Sequence, residues 1–313
     1  MHRIGYLLTD GFQMLALGTQ SVFEFANAGL DQPFYAVEQY ALEAGGVRSS
    51  MGVTVSCKAL GEAGRLDTLV VLGVTDPLGN PTPASLVDFL KQHADIWRRV
   101  AGICTGAFIL AEAGLLDGRR ATTHWAYGRT LQEKHPDANI EEDRIYMVDG
   151  PVWTSAGMTA GLDLALALVE KDLGNDVGRT VAHKMVMHQR RSGGQTQHSE
   201  LLQLSPKSDR IQNVLSFARK NLHRAVSVEE LAESANLSPR QFTRVFTAET
   251  GQSPAKALEG LRLETARLMI EQSRHPLEIV ARETGFRDRR HLREAFVRGF
   301  GVPPLALRRE SRV

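Results

Sequence analysis

The chain has little of what marks a secreted or membrane-spanning protein. Its 313 residues include two cysteines, Cys57 and Cys104, which are too few for a disulfide-stabilised fold and indicate a reducing, cytoplasmic setting. It has no uninterrupted run of about 18 apolar residues, so we expect no membrane-spanning segment and no membrane partner. The amino-terminal stretch lacks the apolar core and cleavage site of a signal peptide, so none is expected.

Net charge is nearly absent from the whole chain but not from its parts. The overall net charge is +1. Residues 1–209 carry 18 Lys and Arg against 24 Asp and Glu, whereas residues 210–313 carry 19 against 12, and 17 of those 19 are arginine. A basic, arginine-rich segment beside an acidic one indicates a polyanion-binding module joined to a unit with another role. A merely solvated basic surface is the alternative.

The periodicity of the chain predicts two domains. In residues 1–188, short apolar runs typical of buried strands alternate with amphipathic helical segments, which predicts an α/β domain with a largely parallel sheet. Residues 189–209 are rich in Gly, Gln and Ser and predict a linker. Residues 210–313 have helical spacing throughout and predict an all-α domain.

The carboxy-terminal part contains an internal repeat. Its copies end at Pro254 and Pro304, and equivalent positions such as Phe246 and Phe296 lie 50 residues apart. Each copy has the pattern of a helix-turn-helix, with a tight turn between two helices. One long helix is predicted between the copies. The outward faces of the second helices carry arginines, whose planar guanidinium can bond two acceptors on guanine or hold a phosphate.

This part resembles the DNA-binding domain of the AraC/XylS transcription regulators over residues 210–310, above all in "LSPRQFTRVFTAETGQSP" and "GFRDRRHLREAFVRGFGVPP". The resemblance implies double-stranded DNA as the partner, with both recognition helices in successive major-groove segments. Glu294 stands where many relatives carry a basic residue; it can accept a hydrogen bond from cytosine N4 or pair with a neighbouring Arg. The candidate base and phosphate contacts are Arg240, Thr243, Arg244, Arg289, Arg290 and Arg293.

The amino-terminal part has one stretch that suggests chemistry, "RRVAGICTGAFILAEAG". Cys104 is predicted at a sharp turn from a strand to a helix, whose amino terminus would lower the thiol pKa and could hold an anion. His124 follows twenty residues later, and a Cys and a His can form a nucleophile–base pair. Cys57 is expected to serve packing alone. His183 and His188 do not share a helical face, so no metal site is expected.

This arrangement resembles the ThiJ/PfpI, or class I glutamine amidotransferase-like, superfamily over residues 3–185. The resemblance implies a flavodoxin-like α/β sandwich. Two departures argue against catalysis: PfpI-type proteases have His where this chain has Thr105, and where relatives aim a carboxylate at the sulfur the sequence is "LLTDGFQML", which leaves Asp10 or Gln13 as the residue that reaches the pocket. Trp125 and Trp153 can line the pocket or fill the core. The candidate ligand-binding residues are Asp10, Gln13, Cys104, Thr105, His124 and Trp125.

The two parts together resemble the GlxA subgroup of AraC-family regulators. This resemblance implies a sequence-specific transcriptional regulator, more often an activator, whose sandwich domain binds a small effector and forms a homodimer. An amino acid or a quaternary amine is the expected class of effector. RNA polymerase is a further expected partner, and no cofactor is expected. Two alternatives stay open: a cysteine-dependent hydrolase or glyoxalase-like enzyme, and a regulator in which Cys104 is oxidised.

Overall fold

The structure of the chain, a computed structural model, describes residues 1–187, 191, 193, 197, 208–224, 226–273 and 275–310. The chain forms two compact units, Met1–Gln197 and His198–Val313. Most of the predicted linker, 189–209, lies outside the described residues, as does His188. No helix in the part of the chain that the structure describes is both long and apolar enough to cross a membrane.

A sheet of eight strands runs through the first unit. In chain order the strands of this unit, including two that form a separate small sheet, are β1 (His2–Leu7), β2 (Tyr35–Ala41), β3 (Gly45–Arg48), β4 (Thr54–Ala59), β5 (Thr68–Leu72), β6 (Val100–Ile103), β7 (Arg120–Ala121), β8 (Asn139–Ile140), β9 (Tyr146–Asp149) and β10 (Val152–Ser155). β7 pairs with β8, and the other eight form one sheet in the order β3-β4-β2-β1-β5-β6-β10-β9. Its neighbouring strands are parallel except at the two edges, where β3 runs antiparallel to β4 and β9 to β10. The predicted α/β class is confirmed, and β9 and β10 form an antiparallel hairpin at one edge.

Helices cover both faces of this sheet. They are α1 (Met14–Leu17), α2 (Gln20–Asn27), α3 (Ala84–His93), α4 (Gly106–Glu112), α5 (Gly128–Lys134), α6 (Met158–Leu173) and α7 (Asn175–Lys184). In β5, Val70 and Leu72 belong to a core with α2, α6 and α7, whereas Leu69 and Val71 belong to a second core with α3, α4 and α5. Because successive strand residues point to opposite faces, this continuous apolar run is a strand buried on both sides.

The first helical stretch departs from the prediction. Helical spacing over residues 13–29 predicts one helix, but the chain forms α1 and α2 with a break at Thr19. The buried Thr19 hydroxyl donates to the carbonyl of Ala16 at 2.8 Å and lies 2.9 Å from the hydroxyl of Tyr6 in β1. Hydrogen bonds of this kind between a side chain and the nearby backbone compete with helix propagation. At this break, the hydrogen bond between Thr19 and Tyr6 joins the start of α2 to the sheet.

The second unit is built from helices around two cores. The helices are α8 (Asp209–Lys220), α9 (Val228–Ser234), α10 (Pro239–Thr250), α11 (Pro254–Gln272), α12 (Leu277–Glu283), α13 (Arg289–Phe300) and α14 (Pro304–Glu310). The first core joins α8, α9 and α10, and the second joins α12, α13 and α14. The predicted long helix is α11, and it belongs to both cores: Leu258 packs in the first and Ile270 in the second. One rigid helix thus connects the two repeats.

Candidate nucleic-acid interface and elbow site

The first helix-turn-helix is formed by α9 and α10, and local capping sets its helix ends. Ser227 and Ser238 each form a capping box: the serine side chain accepts from the backbone N–H three residues later, and the serine backbone N–H donates to the side chain of that same residue, Glu230 or Gln241. The Ser-x-x-Glu pattern at Ser227 and the Ser-Pro-x-Gln pattern at Ser238 predict these two helix starts from the sequence. Asn236, in the turn between the helices, has a φ of +53°, a left-handed conformation that Asn tolerates better than most residues. Gly251 ends α10 with a φ of +76°.

The second helix-turn-helix is formed by α12 and α13, and its turn requires glycine. Gly285 has a φ of +72°, and a Cβ atom placed there would lie 2.2 Å from the carbonyl oxygen of Leu222. No side chain fits that space, because the obstacle is backbone. Asp288 caps α13 by accepting from the backbone N–H of His291 at 2.7 Å.

The two recognition helices, α10 and α13, each divide into a buried and an exposed face. Phe242 and Phe246 are buried in α10, and Leu292 and Phe296 are buried in α13. The side chains on the opposite faces are exposed to solvent, as a groove-binding surface requires. All six candidate contacts belong to this exposed set: Arg240, Thr243, Arg244, Arg289, Arg290 and Arg293.

The exposed arginines of the two helices differ in their surroundings. In the described part of the chain, no hydrogen bond or ion pair engages the guanidinium of Arg240 or Arg244 in α10. In α13, Arg289 contacts Glu278 at 3.3 Å and Arg290 donates to Glu294 at 2.8 Å. Pairing with a neighbouring arginine, one of the two alternatives for Glu294, is therefore present on the free surface.

The elbow is the turn from β6 to α4, and Cys104 lies at its apex. Cys104 has a φ of +56°, so the predicted sharp strand-to-helix turn is present and strained. The end of β5 packs directly against this turn, with no side chain between the two backbones. A Cβ on Gly73 would lie 2.1 Å from the Thr105 hydroxyl oxygen, and one on Gly106 would lie 2.3 Å from the carbonyl oxygen of Val71. Glycine at both positions lets the elbow press against β5.

The sulfur of Cys104 is not activated. Its residue is 2% exposed, and burial raises the pKa of the thiol to about 11, although hydrogen bonds from the Thr105 backbone, the Gln13 side chain and the Thr105 side chain act in the opposite direction. The expected net lowering of the thiol pKa is therefore wrong: the backbone N–H at the start of the helix acts in the expected direction, but desolvation outweighs it. At neutral pH the group is a neutral thiol.

Gln13, and not Asp10, is the residue that contacts the sulfur. The Gln13 amide hydrogen-bonds the thiol, and its backbone N–H donates to the carbonyl of Gly73 at 2.9 Å, which holds the residue against the end of β5. Asp10 is exposed. The position that would aim a carboxylate at the thiol therefore holds a neutral amide, which removes one means of tuning a nucleophile.

Two buried polar atoms near the elbow make no hydrogen bond to any described residue. They are the side-chain carbonyl oxygen of Gln13 and the hydroxyl of Ser155. Ser155 ends β10, and its carbonyl accepts from the backbone N–H of Cys104 at 3.0 Å, so both atoms belong to residues that touch Cys104. Buried polar atoms are rarely left unsatisfied. An acceptor and a hydroxyl here are groups that a polar ligand could engage.

The remaining candidates around the elbow have distinct roles. Thr105 is buried, and its hydroxyl donates to the carbonyl of Val74 at 2.5 Å. His124 accepts from the backbone N–H of Ala126 at 3.3 Å; the thiol's partners among the described residues are Gln13 and Thr105, so His124 is not paired with Cys104. Trp125 is 54% exposed, with its ring 5.4 Å from that of His124.

Of the two tryptophans left open by the sequence, Trp125 is thus excluded from the core, whereas Trp153 is buried in it. In the described ranges, no group of three His, Cys, Asp or Glu side chains is placed to hold a metal ion.

Sequence reasoning missed Gln197, which it placed in the linker. The Gln197 side chain donates to the carbonyls of Thr123 and Glu142 at 2.8 and 2.9 Å, and it accepts from the backbone N–H of Trp125 at 2.8 Å. Its own backbone N–H donates to Asp143 at 2.7 Å. All three carbonyl and amide partners of the side chain are backbone groups, so nothing in the sequence signals the contact.

Arg191 is a second residue of the predicted linker that binds the first unit. Asp163, in α6, is fully buried and accepts from the backbone N–H of Arg191 at 2.9 Å and from its guanidinium Nε at 2.8 Å. A signal for this pair was present, since a lone Asp in an apolar helix needs a partner when it is buried. The partner lies 28 residues away, a distance that periodicity does not bridge.

Comparison with known proteins gives the family. The DJ-1/PfpI family matches residues 3–171 and a helix-turn-helix domain matches residues 231–310. Over 324 aligned residues the chain is 31% identical to the HTH-type transcriptional regulator GlxA of Rhizobium meliloti, with 99% of this chain and 97% of that protein covered. This chain belongs to the GlxA-type transcriptional regulators of the AraC family.

Two further likenesses bear on the fold and on the question of an enzymatic role. A crystal structure of an AraC family transcriptional regulator from Pseudomonas putida matches with a TM-score of 0.54 at 23% identity, covering 59% of this chain and 100% of that one, which shows a shared fold. A stretch of 95 residues is 42% identical to an isonitrile hydratase of Pseudomonas putida, covering 30% of this chain and 40% of the enzyme. The regulator therefore shares sequence with both a regulator and an enzyme.

Proposed function

We propose that the chain is a sequence-specific DNA-binding transcriptional regulator controlled by a small effector that binds at the elbow of the DJ-1/PfpI unit. The observation that carries the proposal is the pair of helix-turn-helix repeats on one shared helix, each with an exposed polar face. DNA-bound recognition helices of this kind present their outward side chains to base edges. Arg240, Thr243, Arg244, Arg289, Arg290 and Arg293 are the proposed contacts.

Two structural features support an effector site at the elbow. The carbonyl oxygen of Gln13 and the hydroxyl of Ser155 are buried and lack a hydrogen-bond partner among the described residues, so a polar ligand entering the elbow would satisfy them. Trp125, which is exposed beside His124, adds an aromatic face that favours an apolar or cationic group. An amino acid or a quaternary amine would suit such a mixture. Asp10, which is exposed, would act only at the rim.

A continuous set of hydrogen bonds joins the elbow to the end of the first unit. The Thr123 hydroxyl donates to the carbonyl of Cys104 at 2.9 Å, and the carbonyl of Thr123 accepts from Gln197 at 2.8 Å. Gln197 is the last residue of the unit, after which the chain continues into the DNA-binding unit. A ligand that displaces Cys104 or Thr123 would change the anchoring of Gln197. It can shift the population of DNA-competent states only if it prefers one state.

The proposal also covers the extent of the two units and their partners. The sensing unit comprises residues 1–188 together with Arg191 and Gln197, and residues 210–313 form the DNA-binding unit. We propose that the sensing unit also forms a homodimer and that the regulator acts on RNA polymerase as an activator. We place it in the cytoplasm, where DNA is accessible and both free cysteines stay reduced.

An enzymatic role is the second candidate, because of the likeness to isonitrile hydratase. The neutral, buried thiol of Cys104 argues against it, and the same burial argues against oxidation as the signal. Replacing Cys104 by Ser distinguishes an enzyme, a redox-sensing regulator and an effector receptor. Loss of turnover with intact DNA response supports an enzyme, loss of response to oxidant alone supports a redox switch, and a retained or weakened effector response supports a receptor.

The experiment that tests the proposal is selection of genomic fragments by the purified full-length chain at a fixed salt concentration. A regulator should recover a few sites whose paired elements lie about 10 bp apart, one turn of DNA. In those sites Arg240→Ala should weaken binding by about 1–3 kcal/mol if the guanidinium bonds a base. Recovery of random DNA, with affinity governed only by salt, would contradict the proposal.

A further inference from the structure

The two recognition helices carry opposite charges at one equivalent position. The offset of 50 residues that pairs the buried Phe246 with the buried Phe296 also pairs Arg244 in α10 with Glu294 in α13. Both side chains are exposed. The chain thus offers a hydrogen-bond donor in one repeat where it offers an acceptor in the other.

The helix starts show that this equivalence is structural and not only a matter of alignment. Ser238 caps α10 and Asp288 caps α13, again 50 residues apart, and each accepts from the backbone N–H three residues later. Both helices end at a left-handed glycine at the same offset, Gly251 and Gly301. Position six of each helix is therefore presented at the same height and on the same face of its repeat.

Glu294 is an ionised acceptor with neighbouring arginines. The hydrogen bond from Arg290 lowers the pKa of Glu294, as do the charges of Arg290, Arg298 and His291. Arg290 donates through Nε at 2.8 Å, which leaves its two terminal nitrogens for other acceptors. These are the nitrogens with which arginine forms a paired contact to guanine. The carboxylate thus orients Arg290 and keeps acceptor capacity of its own.

We propose that Glu294 determines specificity by selecting cytosine in the second half-site, at the position where Arg244 selects guanine in the first. The inference rests on the proposed DNA-binding function. A carboxylate only accepts hydrogen bonds, so guanine and thymine, which present acceptors in the major groove, are rejected. Adenine has a donor beside the N7 acceptor, which repels a carboxylate, whereas cytosine presents its N4 donor alone. The two half-sites bound by one chain are therefore not identical repeats.

The test measures base preference in the second half-site. Dissociation constants of the full-length chain are measured at one salt concentration for a selected operator and for its variants with each of the four base pairs at every position of that half-site. The wild type should prefer one C·G pair by roughly 5- to 150-fold, the range typical of one specific side-chain contact. Glu294→Gln should move the preference toward adenine, and Glu294→Arg should move it toward guanine.

A matched control removes the same charge elsewhere. Glu283, exposed at the end of α12, forms an ion pair with Arg282, and Glu283→Gln should change affinity for all operators by one common factor. If Glu294→Gln also changes all affinities by one common factor, Glu294 only pairs with Arg290 and the inference is overturned. If the wild type recovers no specific sites at all, the DNA-binding proposal itself fails, which is a different result from specific sites with an unaltered base preference.

Discussion

Gly285 is the position where a single methyl group should damage one recognition helix. Its left-handed φ costs an alanine about 1–2 kcal/mol, and the smaller entropy of the unfolded chain returns about 0.4–1 kcal/mol. The added Cβ would also lie 2.2 Å from the Leu222 carbonyl oxygen and 3.1 Å from that of Arg224. Moving this backbone should cost a further 1–3 kcal/mol or so, the range of overpacked sites. Gly285→Ala should destabilise the second unit by about 1.5–4.5 kcal/mol.

Gly251 provides the matched control. Its φ is +76°, close to that of Gly285, but nothing lies within 4 Å of the Cβ position. Gly251→Ala should therefore cost only the conformational part, about 0.5–1.5 kcal/mol. Asn236→Gly, at the equivalent turn of the first repeat, should be nearly neutral, because Asn already occupies the left-handed region there.

The assay is hydrogen exchange of the full-length chain, with peptides of α12 and α13 compared with peptides of the sheet. Global urea unfolding followed by far-UV circular dichroism gives the free energy of the second unit as a separate check. Protection should fall in α12 and α13 for Gly285→Ala and stay unchanged in β5 and β6. Equal destabilisation by Gly285→Ala and Gly251→Ala would refute the argument, since the two differ only in the atoms that meet the new methyl group.

Three other predictions concern the first unit. The side chain of Asp172 is fully buried and accepts from Arg99 through both carboxylate oxygens, at 2.9 and 2.6 Å. Asp172→Ala should therefore destabilise the unit by about 3–5 kcal/mol in thermal unfolding, whereas Asp176→Ala, at an exposed pair, should change its stability by no more than about 0.5 kcal/mol. Alkylation of Cys104 should be very slow at pH 7 and accelerate as the pH rises toward about 11, because the thiol stays protonated below its raised pKa. Labelling at pH 7 at the rate of a small free thiol would contradict this prediction. Gln197→Ala should leave DNA binding without effector intact but weaken the response to effector. Gln197→Glu should weaken that response at least as strongly, because it places an acceptor against the carbonyls of Thr123 and Glu142. Unchanged effector titrations of both variants would exclude the proposed connection from Cys104 through Thr123 to Gln197.

Much of the architecture followed from local patterns. The apolar runs predicted the buried strands because a strand covered on both faces has no polar side. The Ser-x-x-Glu and Ser-Pro-x-Gln patterns predicted the helix starts at Ser227 and Ser238, since capping depends on residues three positions apart. The repeat predicted the two helix-turn-helix units, and the spacing within each helix predicted which face carries the arginines.

What these signals share is short range. A cap, an alternating strand or an amphipathic helix is specified by residues within one or two turns, so the chain itself contains the information. The domain order, the fold class and the exposed recognition faces therefore followed from the sequence by itself, together with the resemblances that its motifs carry.

The tertiary structure decided the chemistry of the elbow. Whether Asp10 or Gln13 reaches the sulfur depends on how the loop after β1 packs against β5, and the thiol pKa depends on burial from several elements at once. The contacts of Gln197 and of Arg191 join residues far apart in sequence through backbone groups and a buried carboxylate. Desolvation and long-range hydrogen bonds arise only when distant segments meet, and for that reason no local pattern contained them.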